Sequence, residues 1–488
     1  MSSKIPQGLF SAIIDRLTPS GLGVATVGER RTRIANSLPR ELVEFHYLRR
    51  HRGGDDGIAV RIDHPHPERV VPRCPHTDRC GGCTLQHLDH PAQIRLHQEY
   101  LAECLAPTGG PTRWLAPITA MPTGIYGYRR KARLGVRFVD KREILLVGFR
   151  ERGRSLVAEI ESCAVLHSAV GERILALRAL ITSLEARRSI PQIEVAAGEG
   201  DVALIFRHTE PLSAADREKL VDFAISPPAC LFPESSSLNK ERESRLQIFL
   251  QPGGLDTIAP LWPESPPPLE YHLPDYEVSI AFRPTDFTQV NFEVNRAMVQ
   301  QAITLLDLRP GEAVLDLYCG LGNFSLPLAR CGARVTGIEG DPGLVARARE
   351  NAQRNGLVVE FLVHDLSRGL PINGVCSTDP TYPPYSKVLL DPPRSGAAAV
   401  LPALAALKVE RIVYVSCNPE TLAQDAMALV QQHGYHLEAA GMMDMFPHTG
   451  HMESMAVFTY FAIGHGQDVV AETQEPGNPD KMVGQFRI

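Results

Sequence analysis

Two hydrophobic rhythms divide the chain. Up to about residue 62, apolar positions alternate in short runs (FSAIID, VATV, RTRIA, ELVEFHYL, IAVRID) broken by turns such as Pro-Ser-Gly-Leu-Gly at 19–23. Alternation without a helical period predicts short strands, and many short strands closing on themselves predict a small barrel of the oligonucleotide-binding sort. A ligand-free structural barrel would satisfy the same pattern. Residues 63–125 hold a cysteine-rich loop and one helical stretch, PAQIRLHQEYLAECL at 91–105. Alternation returns from 126 to about 260 in KARLGVRFV, EILLVGFR and VALIFRH, with one helix expected near 168–186. The polar, Pro- and Ser-rich stretch 225–256 reads as an insertion or long loop, and LWPESPPP at 261–268 as a linker.

From about 280 the rhythm changes. Short apolar strands (AVLDLYCG, RVTGIEGD, EFLVHD, KVLLDPPR, RIVYVSCNP) alternate with amphipathic helices, which predicts a doubly wound parallel sheet. Beyond Gly464 no buried pattern remains, and disorder is expected. The expected organisation is multidomain α/β. It comprises an OB-like β-barrel over 1–62, a central β-rich domain over 63–265, a Rossmann-like domain over 266–463 and a tail over 464–488.

Length agrees with that division, because 488 residues at roughly 150 per domain make about three domains. No apolar run approaches the ~20 residues of a membrane span, and MSSKIPQGLFSAIIDR lacks the apolar core of a signal peptide. A cytoplasmic protein without a membrane partner is expected. Net charge is −6, yet residues 1–160 hold 25 Lys/Arg against 16 Asp/Glu, while the rest holds 25 against 40. A basic front and an acidic rear point to an anionic polymer at the front, or to an accidental asymmetry of solvated faces. In YGYRRKARLGVRF, at 126–138, Arg129, Arg130, Lys131, Arg133 and Arg137 lie among aromatics, as suits phosphates and unpaired bases, or an ordinary basic strand face.

Ligands of open α/β sheets sit outside the carboxyl ends of the strands. The first strand of the rear sheet ends in Asp316, then Tyr318-Cys319-Gly320-Leu321-Gly322-Asn323, and the second ends at Glu339, suited to both hydroxyls of a ribose. A third ends at Asp365, suited to an adenine amino group. Ser325 stands where a dinucleotide fingerprint has its third glycine, so the pattern fits S-adenosylmethionine better than NAD. KVLLDPPR places Asp391 before two prolines, a stiff segment on which a planar base can dock. Cys417 lies between a strand and a helix, with Asn418 as N-cap and Pro419 at the first helical position. Beside a helix N-terminus its thiol is expected to ionise below its usual ~8.5. A soft nucleophile of this kind adds to C6 of uracil and makes C5 able to attack a sulfonium methyl. A base must then remove the C5 proton; Glu453 is the candidate, with His448 and His451 competing.

Five strings appear in order: DFTQVN (286–291), DLYCGLGNFSLPLA (316–329), LLDPPRSG (389–396), YVSCNPETLAQD (414–425) and MFPHTGHME (445–453). Together they resemble the bacterial RNA uracil-5-methyltransferases over nearly the whole chain. The front barrel, with PSGLGVA, resembles the TRAM RNA-binding domain, and CPHTDRCGGCTLQH resembles that family's iron–sulfur motif. The combination resembles the branch acting on 23S ribosomal RNA. The resemblance implies Cys417 as nucleophile and Glu453 as base. It implies Gln289, Tyr318, Asn323, Glu339, Asp365 and Asp391 as lining the S-adenosylmethionine and target-base pocket. Tyr318 departs from the usual Phe, and HDL around Asp365 fits loosely.

Cys74, Cys80 and Cys83 offer three soft ligands in one loop, and four thiolates can hold zinc or a [4Fe–4S] cluster. The resemblance implies the cluster, with Cys163 as fourth ligand, although Ala164 replaces the usual Pro. It implies a monomer acting on 23S ribosomal RNA, with the target base flipped out of its stack and no obligate protein partner. Two rivals remain. Amino-group methylation at the Asp-Pro-Pro segment needs no thiol, so replacing Cys417 with Ala separates it. A non-enzymatic ribosome-assembly factor with the same fold would transfer no methyl group.

Overall fold

The computed structural model describes residues 5–51, 53–121, 124–226, 245–371 and 385–460. Six strands open the chain: Phe10–Ile13, Arg16–Leu17, Leu22–Val27, Arg30–Ala35, Leu42–His51 and Gly54–Asp63. Their order in the sheet is first, fifth, sixth, fourth, third, second. The two edge strands are consecutive in the chain, joined only by Ile14 and Asp15. The Ile14 N–H donates to Glu41 O at 3.0 Å and the Asp15 N–H to Val24 O at 2.8 Å, which draws the edges together. The sheet therefore curls around Ile14, Ala25, Ile34, Val43, Phe45 and Ala59. Two of its arginines are committed internally, Arg30 to Asp55 at 2.9 Å and Arg33 to Asp56 at 2.7 Å, whereas Arg31, Arg40 and Arg49 are exposed.

A second six-stranded sheet has the order Ala259–Trp262, Leu246–Gln251, Val202–Arg207, Gln192–Ala197, Lys131–Val139, Ile144–Gly148. Helices Ile174–Ser183 and Ala214–Ile225 pack on it with Leu177, Ile181, Leu220 and Ala224. Two of these elements correct the reading of 225–256 and its surroundings. Helix Ala214–Ile225 is capped by Ser213, whose hydroxyl accepts the Asp216 N–H at 3.2 Å. Strand Leu246–Gln251 lies inside the stretch read as a loop. Its six residues are all buried, so the two-residue alternation that marks a half-exposed strand is absent. Residues 227–244 of that stretch, and the tail at 464–488, lie outside the described residues.

After a hairpin of Leu269–Leu273 and Val278–Phe282, the rear sheet has eight strands. Their order is Glu360–Val363, Arg334–Glu339, Ala313–Leu317, Lys387–Leu390, Arg411–Ser416, Glu453–Tyr460, Tyr435–Met443, Arg113–Trp114. The first five are parallel, and Glu453–Tyr460 runs antiparallel to its neighbours. Strand order reverses between Ala313–Leu317 and Lys387–Leu390, which sets the ligand crevice there. Helix His90–Leu105, grouped with the central domain by sequence, packs on strand Tyr435–Met443 and helix Pro419–Met427, and Ile94, Leu101 and Leu105 join the apolar cluster that holds Leu437, Ala440 and Leu422. Strand Arg113–Trp114 joins its far edge, so 90–114 packs as part of the rear body. No described helix is long and apolar enough to cross a membrane.

Candidate active site

Cys417 and Glu453 are brought together by strand pairing. Arg411–Ser416 and Glu453–Tyr460 pair antiparallel and their ladder ends with Ser416 opposite Ser454, so Cys417 leaves one strand where Glu453 enters the other, near enough for the Glu453 charge to act on the thiol. The Ser454 hydroxyl donates to Ser416 O at 3.0 Å and fixes that rung. Beyond Cys417 the chain turns into helix Pro419–Met427. Asn418 caps it by accepting the Glu420 N–H at 3.1 Å, and the Asn418 amide donates to Arg394 O at 3.1 Å. The latter bond ties the Cys417 turn to the segment after Asp391.

The electrostatics reverse one expectation. Burial pushes the Cys417 thiol up to about 11, and the Glu453 and Asp391 carboxyls push it the same way. The Arg394 guanidinium, close enough to hydrogen-bond the sulfur, pulls it down but does not prevail. A helix N-terminus is a partial charge of roughly half a unit, and here it is outweighed by desolvation and two acids. Burial likewise raises Glu453 well above the carboxylate range, helped by Asp391 and opposed by Arg394. Arg394 is thus the cation common to the pair, and it lies 3.4 Å from His451 Nδ1. Sequence reasoning quoted DPPRSG for its Asp and prolines and passed over this Arg.

The cofactor-side residues divide. Tyr318 adopts φ +66°, with its N–H on Ile338 O at 2.8 Å, and Gly320 and Gly322 follow at φ +53° and +89°, which glycine permits at no cost. Glu339 accepts the Gly320 N–H at 3.2 Å and the Asp341 N–H at 3.0 Å, one on each oxygen. Asp316 is fully buried, accepts the Ser325 hydroxyl at 2.5 Å on Oδ2, and is raised by burial to about 7. Its Oδ1 has no partner within the protein. Asp391 follows strand Lys387–Leu390, with its N–H on Leu317 O at 3.3 Å. Gln289 is 9% exposed in the loop preceding helix Phe292–Leu306.

Two expected ligands are committed elsewhere. The Asn323 amide exchanges hydrogen bonds with Asn295 at 2.9 and 3.0 Å and accepts from the Tyr271 hydroxyl at 2.8 Å, so it braces the loop. Asp365 is exposed and caps the turn Leu366–Arg368 through the Ser367 N–H and hydroxyl, at 3.1 and 2.6 Å. The rival bases are also engaged. His448 is 3% exposed, lies 3.2 Å from the Gln93 amide, and is held by burial near 4.

Cys74, Cys80, Cys83 and Cys163 line one cavity of about 200 Å³ together with Gln86, Thr449 and His451. Burial raises Cys83 to about 12 and Cys163 to about 11. Among the described residues no group of three or more His, Cys, Asp or Glu side chains is arranged to hold a metal ion. Convergence at one cavity without single-ion geometry is thus what the four expected ligands show. The basic stretch at 126–138 is only partly a surface. Arg130 covers the Phe292 ring at 4.5 Å and donates to Gly198 O at 2.6 Å, and Lys131 donates to Asp286 O. Both side chains therefore serve packing, whereas Arg133 and Arg137 are exposed on their strand.

Residues 271–460 match the family model described as tRNA (Uracil-5-)-methyltransferase. A relative from Nitrosococcus oceani, named 23S rRNA (uracil(1939)-C(5))-methyltransferase RlmD, is 48% identical over 92% of this chain and 95% of its own. A relative of the same name from Alkalilimnicola ehrlichii is 47% identical over 93% of this chain and 97% of its own. Among solved structures, the Pyrococcus abyssi tRNA (uracil-54, C5)-methyltransferase in complex with S-adenosyl-L-homocysteine superposes with a TM-score of 0.66 at 24% identity. That likeness covers 92% of this chain and 99% of the other, and it establishes a shared fold. On the strength of its near full-length relatives, the chain belongs to the RlmD family of 23S rRNA (uracil-C5)-methyltransferases.

Proposed function

We propose that the protein transfers a methyl group from S-adenosylmethionine to C5 of a uridine in 23S ribosomal RNA, at the position named for its relatives. The observation that carries this reading is the meeting of Cys417 and Glu453 at the end of the Ser416–Ser454 ladder, with Asp391 and Arg394 near enough to shift both. The Cys417 sulfur, on losing its proton, adds to C6, and the electron pair of the C5–C6 bond moves to C5 and O4. C5 then takes the sulfonium methyl, releasing S-adenosylhomocysteine. The Glu453 carboxylate removes the C5 proton, the C5–C6 double bond reforms and the Cys417 thiolate departs. Arg394 offsets the negative charge that passes between sulfur and carboxylate.

The methyl donor fits the crevice at the strand-order reversal. Glu339 spends one acceptor site per oxygen on backbone N–H groups, which leaves sites for two ribose hydroxyls. Gly320 and Gly322 let the backbone approach closely, and Asp316 and Asp391 place acids on the neighbouring strands. In this reading Asp365, exposed beyond strand Glu360–Val363, would serve the adenine besides capping its own turn, and Gln289 and Tyr318 would line the pocket from their loops.

The four cysteines would hold a [4Fe–4S] cluster. A single tetrahedral ion needs every sulfur within about 2.3 Å of one point, whereas a four-iron cluster takes one thiolate per iron and spreads them around a cavity. Arg152 supports that assignment: burial lowers it, Cys80 and Cys83 and then Asp78 raise it, and its Nε and Nη1 are buried without hydrogen-bond partners among the described residues. The curled N-terminal sheet is read as TRAM-like, presenting Arg31, Arg40 and Arg49 to RNA, in a monomeric cytoplasmic enzyme. The test is to incubate unmodified 23S rRNA with protein and methyl-labelled donor and map 5-methyluridine by mass spectrometry. Cys417→Ala should abolish product, and Glu453→Gln should trap an RNA–protein adduct on a denaturing gel. Full activity in Cys417→Ala overturns the reading.

A further inference from the structure

The 447–449 turn just before Glu453 is held with unusual completeness. Gln93, in the first turn of helix His90–Leu105, is 2% exposed. Its Oε1 accepts the His448 N–H at 2.9 Å, and its Nε2 donates to Leu88 O at 2.8 Å and Leu85 O at 3.1 Å. The same Nε2 lies 3.2 Å from His448 Nδ1. His448 has φ +69°, a left-handed conformation that a non-glycine residue keeps only when its surroundings enforce it. Its carbonyl accepts from the Thr84 and Leu85 N–H groups, both at 3.0 Å, and the Tyr128 hydroxyl donates to Pro447 O at 2.9 Å. One buried amide therefore joins three segments: the end of the cysteine loop, the first turn of the helix and the turn that leads into Glu453.

We infer that Gln93 is a positioning residue for Glu453, clasping the 447–449 turn so that the carboxyl meets the C5 proton. This rests on the reading of Glu453 as the base. The base must come within about 2.6–3.2 Å of its proton, and a displacement of about 1 Å can cost about a hundredfold. Glu453 is the first residue of its strand, so the ladder restrains it from one side only and the turn supplies the other. Cys417 takes its place from the neighbouring strand, at the turn that Ser416 and Asn418 close and that Asn418 ties to Arg394 O, whereas the bonds of the clasp run to His448, Leu85 and Leu88. Loosening the clasp should therefore slow removal of the C5 proton while leaving attack on C6 intact. An effect confined to one step is what a merely structural role would not produce.

The experiment follows single turnovers of the full chain on an unmodified 23S rRNA fragment with methyl-labelled S-adenosylmethionine. It reads adduct on a denaturing gel and labelled RNA released. Gln93→Met is expected to form adduct within about twofold of wild type and to release RNA at least about tenfold more slowly, so that adduct accumulates. Tyr128→Phe, which removes only the bond to Pro447, should slow the same step by a smaller factor, and it carries the test if Gln93→Met does not fold. Release at the wild-type rate, or a parallel fall in both steps, overturns the proposal. Glu453→Gln is run alongside. If it traps no adduct, the reading of Glu453 itself fails; if it traps adduct while Gln93→Met releases normally, only the positioning role fails.

Discussion

Cys417 and Glu453 flank the last paired rung of two antiparallel strands, Cys417 just after Ser416 and Glu453 just before Ser454. Burial raises both, the Glu453 carboxyl raises the thiol further, Asp391 raises each, and Arg394 is the opposing charge. The thiol in the free protein stands near 11, so at neutral pH it is overwhelmingly protonated and its reactive fraction grows with pH. Single-turnover adduct formation should climb by about tenfold per pH unit between about pH 6 and 8. Arg394→Gln should lower the rate by about tenfold throughout that range, the low end of what an opposite charge contributes because Arg394 is exposed. A flat profile in the wild-type protein would show that the thiolate is already formed.

Asp316 gives a stability prediction with the opposite sense to an ordinary carboxylate. Burial raises it from 3.8 to about 7 despite the Ser325 hydroxyl bond. The folded state therefore binds a proton that the unfolded chain has released, and the cost of ionising it grows as pH rises from about 4 to 7. Asp316→Asn keeps a group of the same shape without that cost. It should raise the melting temperature at pH 8, by no more than about 4 kcal/mol of stability, and the difference should vanish below about pH 4. Thermal melts of both proteins across pH check it. A lower melting temperature at pH 8 would mean that the carboxylate has a compensating partner in the fold.

The strand ends were legible because each carries its chemistry in a contiguous string, and DLYCGLG, LLDPPR and YVSCNP place Asp316, Asp391 and Cys417 at neighbouring strand ends. The meeting of Cys417 with Glu453 was not, because the register that sets Ser416 opposite Ser454 is a property of the sheet. The ionisation of Cys417 was misread for the same reason. A helix N-terminus is local and visible in Asn418-Pro419, whereas the burial and the two acids that outweigh it come from other strands. The family resemblance implied Asn323 as a pocket residue, and the fold adds that its amide also exchanges bonds with Asn295 and accepts from Tyr271. Strand Leu246–Gln251 was hidden by being buried on both faces, and Arg130 by the Phe292 ring lying 162 residues away.

Glu41 joins the curled N-terminal sheet to the segment that leads to the cysteines. It is fully buried and accepts from the Leu38 and His66 N–H groups at 2.7 and 2.9 Å and from Arg69 at 2.6 and 2.7 Å. Burial would raise it, but those bonds and the Arg69 charge hold it below 4.5. A carboxylate depressed in the folded state contributes stability above its unfolded value and loses it as pH falls through the folded one. Glu41→Gln should therefore cost about 3 kcal/mol at pH 7, with the gap to wild type closing as pH drops below about 4. Urea melts read at both pH values test this. An undiminished gap at low pH would assign the effect to shape rather than charge.

The cysteine cavity sets the last prediction. Four thiols line it, two of them raised to about 12 and about 11 by burial, and a buried guanidinium stands beside Cys80 and Cys83 with two nitrogens unpartnered. With bare thiols that cation has Asp78, the weakest of the influences that raise it, as its carboxylate counter-charge, and a buried charge so thinly compensated is costly. Four thiolates on an iron–sulfur centre would supply the missing negative charge. Protein prepared without oxygen should contain iron and acid-labile sulfide in equal amounts, and Cys163→Ser should lose both. Arg152→Met should retain the cysteines yet hold iron less firmly, measured as faster loss to a chelator. Stoichiometric zinc in place of iron and sulfide would instead call for four sulfurs gathered around one point, an arrangement that the spread of these four around their cavity opposes.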